Sequence, residues 1–412
     1  VTTPTTTAAR NDAAVRLRTE DELRSIGSLK WTGMDASDGA PVLGAWVAEM
    51  DYGTSPEVET ALTGAIRDGL LGYPPRWLEP RVQESTAAFQ AHRFGWEIQP
   101  GDVRLVSSVL PALRATISHF VRLGAPVIVP TPAYMPFLTV PEVFGHPVIQ
   151  VPSLRGRAAE GRGWALDLEG IRAGLERGAG LVILCNPWNP TGRVLTPAEL
   201  GALGDAIADF DALVFSDEIH SPLALPGHPH TSFASLGPAL AAHTVTATAA
   251  AKGWNIAGLP SAQVILPDPE LRARWDAFAP EVVQGVTTLG TIATLAACDS
   301  DVEGASWQTD VRRLISDNVD LLAALFRGSP LEFTPPEGGY LAWVGYDHVA
   351  LGDPPARELL DRAHIGANDG AALGTGWERW VRLNLACSPD TARRIAEGAL
   401  SILPAAAVGT CA

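Results

Sequence analysis

Lysine is almost missing from this chain. Of its 30 basic residues only Lys30 and Lys252 are lysine, and the rest are arginine. Arginine serves wherever a surface needs positive charge alone. It cannot serve where an amine must lose its proton and attack a carbonyl, so a retained lysine invites a chemical reading. Cysteine is scarce as well: Cys185, Cys298, Cys387 and Cys411 lie far apart and form no CxxC pair. Neither a zinc ribbon nor a disulfide framework is expected, and the cytoplasm is the expected compartment. No run approaches the roughly 18–20 apolar residues of a membrane span. The opening VTTPTTTAARNDAA has no apolar core either, so no secretory signal is expected.

The shortage of positive charge leaves a formal net charge of −16. Such a surface repels nucleic-acid backbones and anionic lipid, which argues against both as partners. What remains is 46% hydrophobic and 18% charged, the balance of a packed globular protein. At 412 residues the chain exceeds what one core usually fills, so two domains are expected.

Short apolar runs alternate with helical patterns through the middle of the chain. Strands are predicted at 103–106, 125–130, 146–152, 181–185, 212–216, 243–249 and 261–266. Between them lie helices such as TPAELGALGDAIADF (196–210), with Thr196 as N-cap and Pro197 in the first turn. Continuous Val/Ile/Leu runs separated by helices predict an α/β fold with a mostly parallel sheet covered on both faces. From about residue 290 the pattern changes to long helices and a few alternating strands, a smaller α+β domain. The expected division is a flexible tail at 1–19, a segment at 20–52 packing with the small domain, a large domain at 53–289 and the small domain at 290–412.

Four places at predicted strand ends carry candidate chemistry, where open α/β sheets bind ligands. CNPWNPTGRVL (185–195) is a rigid turn presenting Asn189 as an amide donor, or simply a connection between sheet and helix. VFSDEIHSPL (214–223) ends an apolar strand on Asp217, with His220 three residues on. A carboxylate there suits a protonated ring nitrogen, and capping of the next turn is the plainer alternative. Lys252 follows another strand among small apolar residues, a setting that makes an amine nucleophilic. Arg382 interrupts the apolar WVRLNLA, where a substrate carboxylate bound bidentately or a structural ion pair would satisfy it.

The series Asn189, Asp217, His220, Lys252, Arg382 resembles fold-type I pyridoxal-phosphate enzymes of the aminotransferase class I/II family. The likeness is greatest to the cystathionine β-lyase-like branch of MalY and PatB C–S lyases. It extends over about residues 28–400 and includes WVAEMDYGTSPEV, LGYPP, VLPAL, PTPAYMPF, SDEIH, KGWNIAGL, PEGGYLAW and RLNLAC. The resemblance implies pyridoxal 5′-phosphate held as an imine on Lys252, which then serves as base. It also implies Asp217 on the ring nitrogen, Asn189 and His220 at the ring's 3′-oxygen, Tyr134 stacked on the ring, Arg382 on the substrate α-carboxylate and Asn189 as a further substrate-binding residue. Tyr73 resembles a residue that reaches the cofactor phosphate of a second subunit, implying a homodimer with shared sites. Tyr52, with Trp188 and Trp254, is a candidate for the substrate pocket, with ordinary packing as the alternative.

The phosphate end departs from the family. Ser108 stands where relatives usually carry glycine, leaving the backbone N–H groups of Val109 and Leu110 as donors. Ala249 stands where a serine is expected, and Pro260 where a cation is common. The expected function is C–S β-lyase activity on a cysteine S-conjugate or cystathionine-like substrate, in sulfur-containing natural-product assembly. The alternatives are an aminotransferase, a decarboxylating or oxidative variant, or a regulatory protein binding pyridoxal phosphate.

Overall fold

The computed structural model describes residues 15–156, 163–283 and 285–404. Its centre is a seven-stranded sheet whose strands, in chain order, are β1 (Val103–Val106), β2 (Val127–Thr131), β3 (Val148–Pro152), β4 (Leu181–Cys185), β5 (Leu213–Asp217), β6 (Thr244–Thr248) and β7 (Ala262–Ile265). Their spatial order is β1-β7-β6-β5-β4-β2-β3. β2 to β6 run parallel, whereas β7 runs antiparallel to both β1 and β6. β2, β4 and β6 are buried along their whole length, as a sheet covered by helices on both faces demands. The helix at Pro197–Ile207 forms as its signals require: Thr196 accepts from Glu199 N–H, and Glu199 reaches back to Thr196 in a capping box.

A second, four-stranded antiparallel sheet lies later in the chain. It comprises β8 (Glu332–Phe333), β9 (Leu341–Gly345), β10 (Asn368–Asp369) and β11 (Trp380–Asn384), in the order β8-β9-β11-β10. Helices Trp307–Phe326 and Pro389–Ser401 pack together beside it. The expected boundary at 290 falls inside the helix Thr288–Val302, which packs on Pro56–Arg67 and Leu78–Phe94.

The N-terminal segment is fastened to this second sheet. Leu43–Gly44 pairs in parallel with Ile365–Gly366, and Asp51 N–H donates to Ala386 O over 3.0 Å. Lys30 is buried in an ion pair with Asp51 at 3.0 Å, and Trp31 Nε1 donates to the same carboxylate. Of the expected flexible tail, residues 1–14 lie outside the described residues. Residues 15–19 depart from that reading: Arg18 N–H donates to Asp51 O, and Thr19 caps the helix Glu20–Ser25. A side chain that satisfies a helix N-terminus is held by it.

Candidate active site

Three strand ends and the N-terminal segment converge on a cavity of about 400 Å³. Asp217 is the last residue of β5, opposite Cys185 at the end of β4. Among the described residues its Oδ1 accepts only the Ile219 N–H, at 3.0 Å, and Asp217 lines the cavity. The next residue, Glu218, is absorbed elsewhere, accepting from Ser216, Ser232, His230 and the Phe233 N–H. Burial therefore dominates at Asp217 and raises its pKa to about 7.

Lys252 sits on the short helix Ala250–Gly253 after β6, and its Nζ donates to the Ala48 carbonyl at 2.9 Å. Burial, aided by the nearby Arg382 charge, lowers its pKa to about 8. His220 is buried beside both cations, which holds its pKa down at about 3, so its imidazole is neutral. Its Nδ1 is buried without a partner among the described residues. Asn189 is carried by the turn after β4. Gly192, at φ +69°, closes that turn against Pro336, and Gly192 O accepts the N–H groups of Glu337 and Gly338.

Arg382 lies on β11, buried, with its pKa lowered to about 10 by that burial. Nη1 donates to Asn189 Oδ1 at 3.1 Å. Nη2 donates to Asn368 Oδ1 at 2.5 Å and to Trp46 O at 3.1 Å. Each bidentate edge of a guanidinium uses this doubly engaged nitrogen, together with either Nε or Nη1. The bidentate grip expected for a carboxylate is therefore not offered in this arrangement, and only single N–H groups remain free.

Ser108, Val109, Leu110, Tyr134, Asn189, Asp217, His220, Lys252 and Arg382 all line the cavity. Two expected residues do not. Tyr52 is buried in the core and its hydroxyl donates to Cys387 O at 2.9 Å, which removes it from the substrate pocket. Tyr73 is 98% exposed and borders a separate surface hollow with Leu71, Pro260 and Leu289. Trp188 and Trp254 take the packing alternative: Trp188 Nε1 donates to Pro132 O, and Trp254 meets Phe89 edge-on. Trp46, Met135 and Asn368, which no sequence signal marks as site residues, also line the cavity. Nothing within WVAEMDY distinguishes Trp46 from a packing residue. Asn368 stands in a Gly-rich stretch that reads as a turn.

Pyridoxal 5′-phosphate, which the resemblance implies, fits the ring end of this cavity. Asp217 has an unpaired oxygen for a ring N–H, His220 an orphaned nitrogen, and Lys252 a readily deprotonated amine. At the other end, Ser108 is the N-cap of the helix Val109–Phe120 and makes no side-chain capping bond. Val109 and Leu110 supply N–H groups at a helix N-terminus, whereas Pro111 has none to give. Ala249 is buried and adds no hydroxyl, and Pro260 lies at the surface hollow beside Tyr73.

A lysine of lowered pKa, a buried acid of raised pKa and a buried arginine thus line one cavity. The model of the family Aminotransferase class I and II matches residues 46–398, and the chain belongs to that family. A cystathionine β-lyase of Corynebacterium glutamicum is 32% identical over 371 residues, covering 90% of this chain and 95% of the relative. The cystathionine β-lyase PatB of Bacillus subtilis is 31% identical over 379 residues, with the same shares of 90% and 95%. Among solved structures, cystalysin of Treponema denticola, which contains pyridoxal 5′-phosphate, superposes with a TM-score of 0.82 at 26% identity. That match covers 94% of this chain and 98% of cystalysin. The fold is fold-type I, with its large, mostly parallel sheet.

Proposed function

We propose that this protein is a pyridoxal-phosphate-dependent C–S β-lyase. It cleaves a cysteine S-conjugate or cystathionine-like substrate with water to a thiol, pyruvate and ammonium. The observation that carries the reading is the placement of Lys252 and Arg382 in one cavity with Asp217, in a chain whose relatives include cystathionine β-lyases. Pyridoxal phosphate supplies the electron sink that makes loss of the substrate Cα proton feasible. With the cofactor bound, Asp217 would keep the ring nitrogen protonated, and neutral His220 and Asn189 would be its partners on the phenolic side. The Lys252 amine would take the substrate Cα proton, and the β-thiolate would leave. Arg382 holds the α-carboxylate.

Among the described lining residues Lys252 and Arg382 are the only cationic side chains, His220 being neutral. That supports the lyase reading over transamination of dicarboxylates, which calls for a further cation. Exposed Ile66, Leu71, Tyr73 and Trp77 support a homodimer in which Tyr73 reaches the phosphate of the second copy. A place in the cytoplasm and in sulfur-containing natural-product assembly completes the proposal. No helix among the described residues is long and apolar enough to cross a membrane.

The test is the absorbance of purified protein before and after L-cystathionine or an S-alkyl-cysteine, with pyruvate and thiol assayed together. A visible cofactor absorbance band, with equal release of pyruvate and thiol, supports the lyase. Keto acid that forms only with an added amino acceptor, and without thiol, overturns it in favour of transamination.

A further inference from the structure

Asn368 accepts from Arg382 Nη2 through Oδ1. It lies on β10, directly opposite Arg382 in the register with β11, and borders the cavity half-buried. A guanidinium only donates, so the Asn368 atom on Arg382 Nη2 is the carboxamide oxygen. With Oδ1 engaged, Nδ2 is the remaining polar end of a side chain that borders the cavity. Among the described residues Nδ2 has no hydrogen-bond partner. It is also not one of the fully shielded polar atoms that lack one.

With Nη2 doubly engaged, Arg382 offers a carboxylate one N–H on either bidentate edge. The second carboxylate oxygen needs another donor, or a buried charge is left half-satisfied. We infer that Asn368 is a substrate-binding residue whose Nδ2 donates to the α-carboxylate held by Arg382. The pair makes the two-donor grip that the arginine alone does not. The inference rests on Arg382 as the carboxylate holder in the proposed function. It adds a recognition element for α-amino acids over plain amines.

The test measures binding of L-alanine and of ethylamine to the holoenzyme through the shift in cofactor absorbance. L-Alanine carries no β-leaving group, and ethylamine lacks the carboxylate. Asn368→Ala is expected to weaken L-alanine by about tenfold or more, the size of one hydrogen bond to a charge, with ethylamine changed by less than about twofold on the same scale. Asn368→Asp keeps an oxygen on Arg382 but loses the donor, and is expected to weaken L-alanine at least as much. The unchanged cofactor band of each variant shows that the site is intact, and if one variant does not fold the other decides. Equal weakening of both ligands means a merely structural residue and overturns the inference. Unchanged or tighter L-alanine binding overturns it too, making Asn368 a placeholder that substrate displaces. Arg382→Lys separates the two levels. If it weakens L-alanine while the Asn368 variants do not, only this inference falls. If it leaves L-alanine unaffected, the assignment of Arg382 falls as well.

Discussion

Lys252 Nζ donates to the carbonyl oxygen of Ala48, 2.9 Å away and 204 residues earlier in the chain. Ala48 belongs to an irregular strap, residues 46–51, that borders the cavity through Trp46, Val47 and Ala48. The same carbonyl accepts the Tyr340 hydroxyl, and Asn384 Nδ2 donates to Val47 O and Glu49 O. Asn255, at φ 57°, exchanges hydrogen bonds with Met50. The strap thus has no regular pairing of its own over this stretch, and side chains satisfy its backbone.

The lowered pKa of Lys252 predicts how the cofactor-free protein takes up pyridoxal phosphate. Only the unprotonated amine attacks an aldehyde. The uptake rate should therefore rise with pH up to about 8 and level off above it. Stopped-flow absorbance reads the profile directly. Lys252→Arg should show no such uptake at any pH, because its charge is permanent.

Asp217 and Lys252 make opposite contributions to the stability of the cofactor-free protein. Asp217 has its pKa raised from 3.8 to about 7. Between those values the folded chain keeps a proton that the unfolded chain has lost. Stability falls as pH rises through that window, and the loss is complete above about 7. Lys252 is lowered from 10.5 to about 8, so part of the stability returns between pH 8 and 10.5. Asp217→Asn should flatten the fall between pH 4 and 7 and raise the melting temperature at pH 8. Thermal melts of both cofactor-free proteins across pH check the sign.

Lys30 and Asp51 form an ion pair with almost no solvent access, 0% and 4% for the two side chains. Lys30→Ala leaves Asp51 buried with the Trp31 indole as its remaining side-chain donor. The expected loss is about 3–5 kcal/mol, measured by urea unfolding of the holoenzyme. Replacing both residues by apolar side chains of similar volume should recover most of it.

Gly192→Ala would place a Cβ 2.2 Å from Pro336 Cβ, at a φ of +69° that disfavours any side chain. The turn must shift, and it carries Asn189. We expect a loss of at least about 1–3 kcal/mol in stability and weaker substrate binding, followed by thermal melts and L-alanine titration.

Most of the sheet could be read from continuous apolar runs, and each of its seven strands lies at a predicted position to within two residues at either end. The antiparallel direction of β7 could not, because SAQVIL reads the same whichever way it runs. Asp217 and Lys252 stood out because a carboxylate and an amine are costly at the ends of buried strands. Lysine scarcity flagged Lys30 with equal force, yet that residue answers a buried carboxylate rather than a ligand. Tyr52 misled because an aromatic in WVAEMDY does not reveal which way it turns, and its hydroxyl faces Cys387 O. Asn368 acquires meaning only from its cross-strand neighbour Arg382, a pairing between distant β10 and β11 that no local pattern encodes.

The strap also sets an order of birth for the site. Residues 46–51 leave the ribosome some 335 residues ahead of Asn384, whose side chain binds them. The central sheet is complete in the nascent chain by Ile265, so the cofactor floor exists well before its cover. Until Arg382 and the strap are in place, Lys252 lacks the surroundings that lower its pKa. Catalytic competence arrives only when the C-terminal strand closes over the N-terminal one, and truncated products of interrupted synthesis have no finished active site.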